Sequence, residues 1–216
     1  MTGNFNPLAM ESLAESIVLR MVLNPPVPIK NLQRFNGAGI YAIYYTGDFP
    51  AYKIVRDQNV DDQWLLPIYV GKAVPAGGRQ GVDEAPKTNT AVWSRLNEHA
   101  KSIEAATNLD VDHFWAQWLI IDDIWIALGE SALLRDKRPV WNAMVDGFGN
   151  HDPGKGRYNG LAPQWDTLHP GRAWAENLVA RPDGSADSIA RDAEQYLKSR
   201  HGEKPDAQLV QRDGDA

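Results

Sequence analysis

Cysteine is absent from the 216 residues, which excludes disulfides and thiolate-ligated metal centres outright and suits a reducing compartment. Long hydrophobic runs are missing as well. The N-terminal segment has no basic stretch leading into an unbroken apolar run, and Glu11, Glu15 and Arg20 interrupt its apolar face. Neither a signal peptide nor a membrane span is therefore expected, and a cytoplasmic protein is the default. Positive charge is in short supply: 22 Lys and Arg stand against 28 Asp and Glu, a formal net charge of −6. That balance argues against nucleic-acid binding unless cations gather on one face, since counterion release needs Lys and Arg against phosphates. Arg135, Lys137, Arg138, Lys155, Arg157 and Arg172 do fall in one region, whereas acid predominates from Asp183 to Asp215.

What is present suffices for one sizeable core. Hydrophobic residues make up 43% of the chain, so one domain with decorations is expected. Two apolar runs, GIYAIYY over 39–45 and LLPIYVGKA over 65–73, are rich in Ile, Val and Tyr and read as strands. The turn and polar residues between them predict a hairpin with an elaborated connection, which sets Tyr41 and Tyr69 side by side. On spacing alone, packing plus turn chemistry accounts for such a pair.

Before the hairpin, Leu8, Leu13, Ile17 and Met21 repeat at helical spacing over 7–23, and Asn24-Pro25-Pro26-Val27-Pro28 ends that helix. It docks on the core or, as the sharper alternative, reaches a second copy. After the hairpin, residues 75–90 read as a loop in which Arg79, Gln80, Lys87 and Asn89 carry donors suited to phosphates or base edges. A solvated surface loop has the same composition. A helix over 91–106 puts Val92, Leu96, Ala100 and Ile103 on one side, with Arg95 and His99 one turn apart on a shared face.

A strand over 112–121 follows, and Asp122-Asp123 can cap a helix over 123–138. This helix groups Ile124, Ala127, Leu128, Ser131 and Leu134, and carries Glu130 between Gly129 and Ala132, small neighbours that would let a ligand approach. A lone helical carboxylate is otherwise a surface charge. Pro139 stops the helix ahead of Trp141-Asn142. His113 has no partner at metal-ligand spacing and reads as structural or exposed. Residues 185–200 read as a last polar helix, and the tail from Gly202 as disordered.

Two tempting motifs fail. Gly149 to Lys155, GNHDPGK, has the spacing of a phosphate-cradling loop, but Gly156 stands where Ser or Thr must hold Mg²⁺, and neither the strand nor the helix of that motif flanks it. Gly149-Asn150-His151-Asp152 also matches one piece of a binuclear metallophosphatase signature whose upstream pieces are missing. It reads as a coincidental turn.

Taken in order, Gly39-Ile40-Tyr41, Tyr69-Val70-Gly71, Arg95 to His99, Glu130 and Asn142 resemble the GIY-YIG nuclease family over roughly residues 37–142. The second tripeptide departs by one apolar strand residue. Trp165-Asp166-Thr167-Leu168-His169-Pro170-Gly171-Arg172 narrows the likeness to a restriction-endonuclease branch that cuts a GC-only palindrome of the CCGCGG type. The resemblance implies an α+β fold, a three-stranded antiparallel sheet flanked by helices in the order β-β-α-β-α. It divides the chain into an N-terminal helix and linker (1–36), a nuclease core (37–145), a Gly-rich DNA-contacting extension (146–180) and a polar helix and tail (181–216).

The activity implied is that of a type II restriction endonuclease. It would hydrolyse double-stranded DNA to 5′-phosphate and 3′-hydroxyl ends as a homodimer on a symmetric site, beside a cognate DNA methyltransferase. Tyr41, Tyr69, Arg95, His99, Glu130 and Asn142 are the implied catalytic set. Glu130 would hold one Mg²⁺, for which Mn²⁺ can substitute, because a hard cation needs only one carboxylate beside substrate phosphate and water. Arg95 would fork onto the scissile phosphate. Tyr41 would orient or deprotonate the water while His99 takes the proton, and Tyr69 would position phosphate or water; which phenol is the base stays open. Asn142 would fix the site backbone or a phosphate. Lys72 would lower a phenol pKa or touch DNA, together with Arg79, Gln80 and Lys87 of the loop and Asn150, Lys155, Arg157, Asn159, Gln164 and Arg172 of the extension. Two alternatives are a repair or mobile-element nuclease of the same fold and a catalytically inactive DNA-binding protein.

Overall fold

The computed structural model describes residues 9–74 and 89–202. Strand β2 (Gly39–Tyr45) lies at its centre, and all seven of its residues are buried. Side chains alternate across a strand, so Tyr41, Ile43 and Tyr45 enter one core while Ile40, Ala42 and Tyr44 enter another. The first core is closed by α3 (Ala91–Ala105), α5 (Val140–Ala143), α6 (Gln164–Leu168) and α7 (Ala186–His201). The second is closed by α1 (Met10–Val22) and α4 (Asp123–Lys137). A sheet covered on both faces explains why GIYAIYY is apolar without alternation.

The sheet is antiparallel with strand order β1-β4-β2-β3, where β1 is Val27–Pro28, β3 is Tyr69–Ala73 and β4 is Phe114–Ile120. It therefore has four strands rather than the expected three. The extra strand is built from the proline-rich stop of α1. Pro28 cannot donate to a ladder, which is tolerated because β1 is an edge strand, and Ile29 N–H continues the pairing to the Phe114 carbonyl at 3.0 Å. The connection between β2 and β3 contains a short helix, α2 (Lys53–Asp57). β3 begins at Tyr69 rather than Leu65, because Pro67 interrupts the donor row.

Helix α1 docks on α4 and the sheet. The bounds of α4 agree with the sequence reading, but its buried face is Ile126, Gly129, Ala132 and Leu133, not the one grouped around Ile124, which is 75% exposed. A Cβ at Gly129 would lie 2.9 Å from Ile17 and 3.0 Å from Ile40. The small residue thus serves close packing of helix on sheet and helix on helix, not the approach of a ligand. Asp122 sits at the N-cap position of α4, yet its side chain makes no capping bond.

One buried polar chain ties the C-terminal part to the core. Trp141 Nε1 donates to Tyr52 Oη at 2.8 Å, and Tyr52 Oη lies 2.7 Å from His169 Nε2. On the other side of the ring, Nδ1 lies 2.9 Å from Asn108 Oδ1, while Asn108 Nδ2 donates to the Leu168 carbonyl. Every partner is satisfied when the imidazole is neutral with its proton on Nδ1. Burial lowers the His169 pKa from 6.5 to about 3. The unfolded chain therefore binds a proton that the folded chain refuses. Stability contributed here is complete above pH 6.5 and is lost as pH falls toward about 3. At about pH 5 the loss from this group is about 2 kcal/mol. Urea titrations at about pH 7 and about pH 5 measure it, and His169→Gln should flatten the dependence.

Among the described residues, no helix is long and apolar enough to cross a membrane.

Candidate active site

The register of the hairpin builds the site. Tyr41 on β2 faces Gly71 on β3, and a Cβ at Gly71 would stand 2.5 Å from Tyr41 Oη. The glycine that closes the second tripeptide is thus needed because the Tyr41 ring lies across it. Tyr69, two residues earlier on the same strand face, brings its ring to 6.3 Å from that of Tyr41. Helix α3 crosses this face and buries Val92, Leu96, His99, Ala100 and Ile103. His99 Nε2 lies 2.8 Å from Tyr41 Oη. Its ring lies 5.1 Å from Tyr69 and stacks at 4.5 Å on Phe148, and those two rings are themselves 5.0 Å apart, so the three form one cluster.

Arg95, one turn before His99, keeps partial exposure at the mouth of this cluster. Its guanidinium donates to Glu98 Oε2 at 2.9 Å, to the Gly149 carbonyl at 3.3 Å, and to His151 Nε2. A Cβ placed on Gly149 would lie 2.9 Å from Tyr69 Oη, 3.6 Å from Arg95 Nη2 and 3.9 Å from His99 Cε1. Three of the expected catalytic side chains therefore meet under one backbone position, where a side chain would crowd the Tyr69 hydroxyl.

The electrostatics set the protonation states. Burial raises the Tyr41 phenol well above its usual range; Tyr69 adds to the rise, and Arg95 opposes it. Burial also raises Tyr69, again with Arg95 opposing and Glu130 reinforcing. His99 is driven well below 6.5 by burial and then by Arg95, His151 and Arg172. Neutral His99 therefore offers Nε2 as an acceptor to a protonated Tyr41. In the unliganded site the desolvation of Tyr41 outweighs the opposing pull of the Arg95 guanidinium.

Glu130, on α4, reaches the site across the edge of β3. Its side chain is 18% exposed and its Oε2 accepts from Lys72 Nζ at 2.6 Å. Its charge acts on both phenols. No group of three or more His, Cys, Asp or Glu that could cage a metal occurs among the described residues. A lone, accessible carboxylate whose present partner is a cation fits a hard divalent ion that keeps several waters and completes its shell with phosphate oxygen. Lys72 is thus committed to Glu130, not to either phenol.

Asn142 has both halves of its amide in use. Val70 N–H donates to Oδ1 at 2.8 Å, and Nδ2 donates to the Val70 carbonyl at 2.9 Å. The side chain acts as a surrogate strand on the open edge of β3 and holds the backbone between Tyr69 and Gly71.

The segment after α5 also contributes, through residues the sequence reading set aside. Phe148, Gly149 and His151 lie over the Tyr69, Arg95 and His99 group. They are held there by Arg172, which is only 4% exposed. Its Nε donates to Asp166 Oδ1 at 2.6 Å, Nη1 to the carbonyls of Phe148 (3.0 Å) and Asn150 (3.2 Å), and Nη2 to the Gly147 carbonyl (3.0 Å) and Asp166 Oδ2. The guanidinium is also sandwiched between Trp165 and Trp174, 4.6 and 4.7 Å from their ring centres. All five N–H donors are spent, so Arg172 has none for DNA, and its expected contact is corrected to an internal clamp. Replacing it by methionine leaves Asp166 unpaired in the interior and should cost about 3–5 kcal/mol, read from urea unfolding. Removing both charges together should cost less than removing one.

The other proposed DNA contacts divide by position. Lys155 and Arg157 sit exposed on one turn of 3-10 helix, with no ion pair among the described residues, and Asn150 and Asn159 are exposed nearby. Gln164 is tied to the exposed Asp146: its backbone N–H donates to Oδ1 at 3.1 Å, and its Oε1 accepts from the Asp146 N–H at 3.4 Å. Arg79, Gln80 and Lys87 lie outside the described residues.

Two tyrosines paired across a β2–β3 hairpin, served by one helix carrying Arg95 and His99, place this chain among the GIY-YIG nucleases. The narrower assignment comes from comparison with known families. The family model described as the Eco29kI GIY-YIG domain matches residues 33–197, most of the chain, and the chain belongs to that restriction-endonuclease family. Eco29kI itself recognises CCGCGG. DNA binding follows from membership. None of the curated proteins compared with the chain matches it.

Proposed function

We propose that this protein is a cytoplasmic type II restriction endonuclease that cuts both strands of a short GC-rich palindrome, using one Mg²⁺ per active site. The observation that carries the reading is the 2.8 Å bond between Tyr41 and a buried, neutral His99, with Arg95 one helical turn away. A proton relay and a phosphate-binding fork then share one cleft.

Arg95 binds the scissile phosphate through its planar fork, a geometry a lysine cannot reproduce. Tyr41 holds the attacking water and takes its proton as its own passes to His99 Nε2, so no free phenolate need accumulate. Tyr69 positions phosphate or water, and Asn142 keeps the strand carrying Tyr69 in register. Bond formation from the water oxygen to phosphorus, with the P–O3′ bond breaking and the 3′ oxygen taking a proton from solvent, leaves 5′-phosphate and 3′-hydroxyl ends. Glu130 would hold the divalent ion, which supplies charge neutralisation at the phosphoryl group and the leaving oxygen.

Residues 37–145 then form the catalytic core and 146–180 the DNA-contacting extension, with Lys155 and Arg157 as its exposed cations. Lys72 becomes available to phosphate once Glu130 takes another cation. A palindrome read by one site per subunit favours a twofold homodimer, and a cell holding such an enzyme needs a methyltransferase to protect its own sites. Incubating the protein with Mg²⁺ and a plasmid containing CCGCGG tests the reading. Discrete fragments ending at those sites are expected. Smearing or nicking at branches favours a repair or mobile-element nuclease, and intact DNA an inactive binding protein.

A further inference from the structure

His151 lies outside the six implied catalytic side chains, yet it occupies the mouth of the same cleft. Its Nε2 meets Arg95 Nη1 and lies 3.8 Å from Glu98 Oε2. It lines, with Arg95, Glu98, His99, Lys101 and Asn150, an open cavity of about 250 Å³. The His151 side chain is itself exposed, but the backbone that carries it is fixed. Arg172 grips the carbonyls of Gly147, Phe148 and Asn150 just before His151, and Gly149 permits the loop to lie against Tyr69 and His99.

A guanidinium has no acceptor, so its bond to Nε2 requires the imidazole lone pair, with the ring neutral and its proton on Nδ1. The bond occupies one of the Arg95 donors that a phosphate would need. We infer that His151 is a second phosphate ligand of this cleft, exchanging its acceptor bond to Arg95 for a donor bond to the phosphate that Arg95 binds. The inference rests on the nuclease reading above. A neutral ring turned over to present its Nδ1–H makes that bond with no change of charge.

The test uses the full-length chain carrying Glu130→Gln, so that DNA is bound and not cut. Binding of a fluorescent CCGCGG duplex is measured without divalent ions. Adding His151→Ala should weaken binding about fivefold, the range for one lost hydrogen bond. His151→Asn and His151→Lys, each of which keeps a donor at this position, should bind within about twofold of the parent. If His151→Ala leaves affinity unchanged, or His151→Asn and His151→Lys weaken binding as much as His151→Ala, His151 is a loop anchor and the inference falls. In that case wild-type plasmid cleavage stays intact. Failure of the parent to bind any duplex, with no cleavage by wild type, would overturn the nuclease reading and this inference together.

Discussion

Glu130→Gln is expected to lower plasmid cleavage by at least about a thousandfold, the upper range for removing one preorganised electrostatic contribution, while leaving duplex affinity within about twofold. The substitution preserves shape and removes charge. Glu130 stands at the cleft edge with Lys72 as its only charged partner among the described residues, so loss of the carboxylate would delete the oxygen ligand proposed for the divalent ion. Among the described residues no cluster of carboxylates stands ready to take over. Glu130→Ala should behave alike. Cleavage at the wild-type rate in either purified variant would mean that the ion, if one is used, is held elsewhere.

Tyr41→Phe should reduce the cleavage rate by at least about a hundredfold, the lower range for loss of a positioned general base, with little change in affinity. Phenylalanine keeps the ring that packs over Gly71 and removes only the hydroxyl bonded to His99. His99 Nε2 loses its partner in a fully buried position, so a stability loss of about 1–3 kcal/mol accompanies the change. Cleavage is therefore compared under conditions where both proteins are shown to be folded. Full activity in the variant would remove the phenol from the mechanism and leave Tyr69 as the candidate base.

Much of this site was readable because strand and helix periods are strict. GIYAIYY specified β2 to the residue, and the four-residue interval from Arg95 to His99 fixed their shared helical face. What could not be read depended on partners distant in the chain. The buried face of α4 is chosen by Ile17 and Ile40, which press on Gly129. β1 was hidden because its proline suits an edge strand only once β4 lies beside it. Arg172 carries the composition of a DNA contact, and only the carbonyls of residues 147–150 and two tryptophans reveal a clamp. His151 sits in a motif that fails, and 56 positions separate it from the arginine it touches. No local pattern signals that meeting.

In the proposed reaction one carboxylate and one ion would serve one phosphate. The direct measurement is anomalous scattering from Mn²⁺ in crystals of Tyr41→Phe bound to an uncut CCGCGG duplex. A single peak per active site is predicted, with Glu130 as its one protein ligand and the scissile phosphate beside it. Two peaks in one cleft, or one peak remote from Glu130, would contradict it.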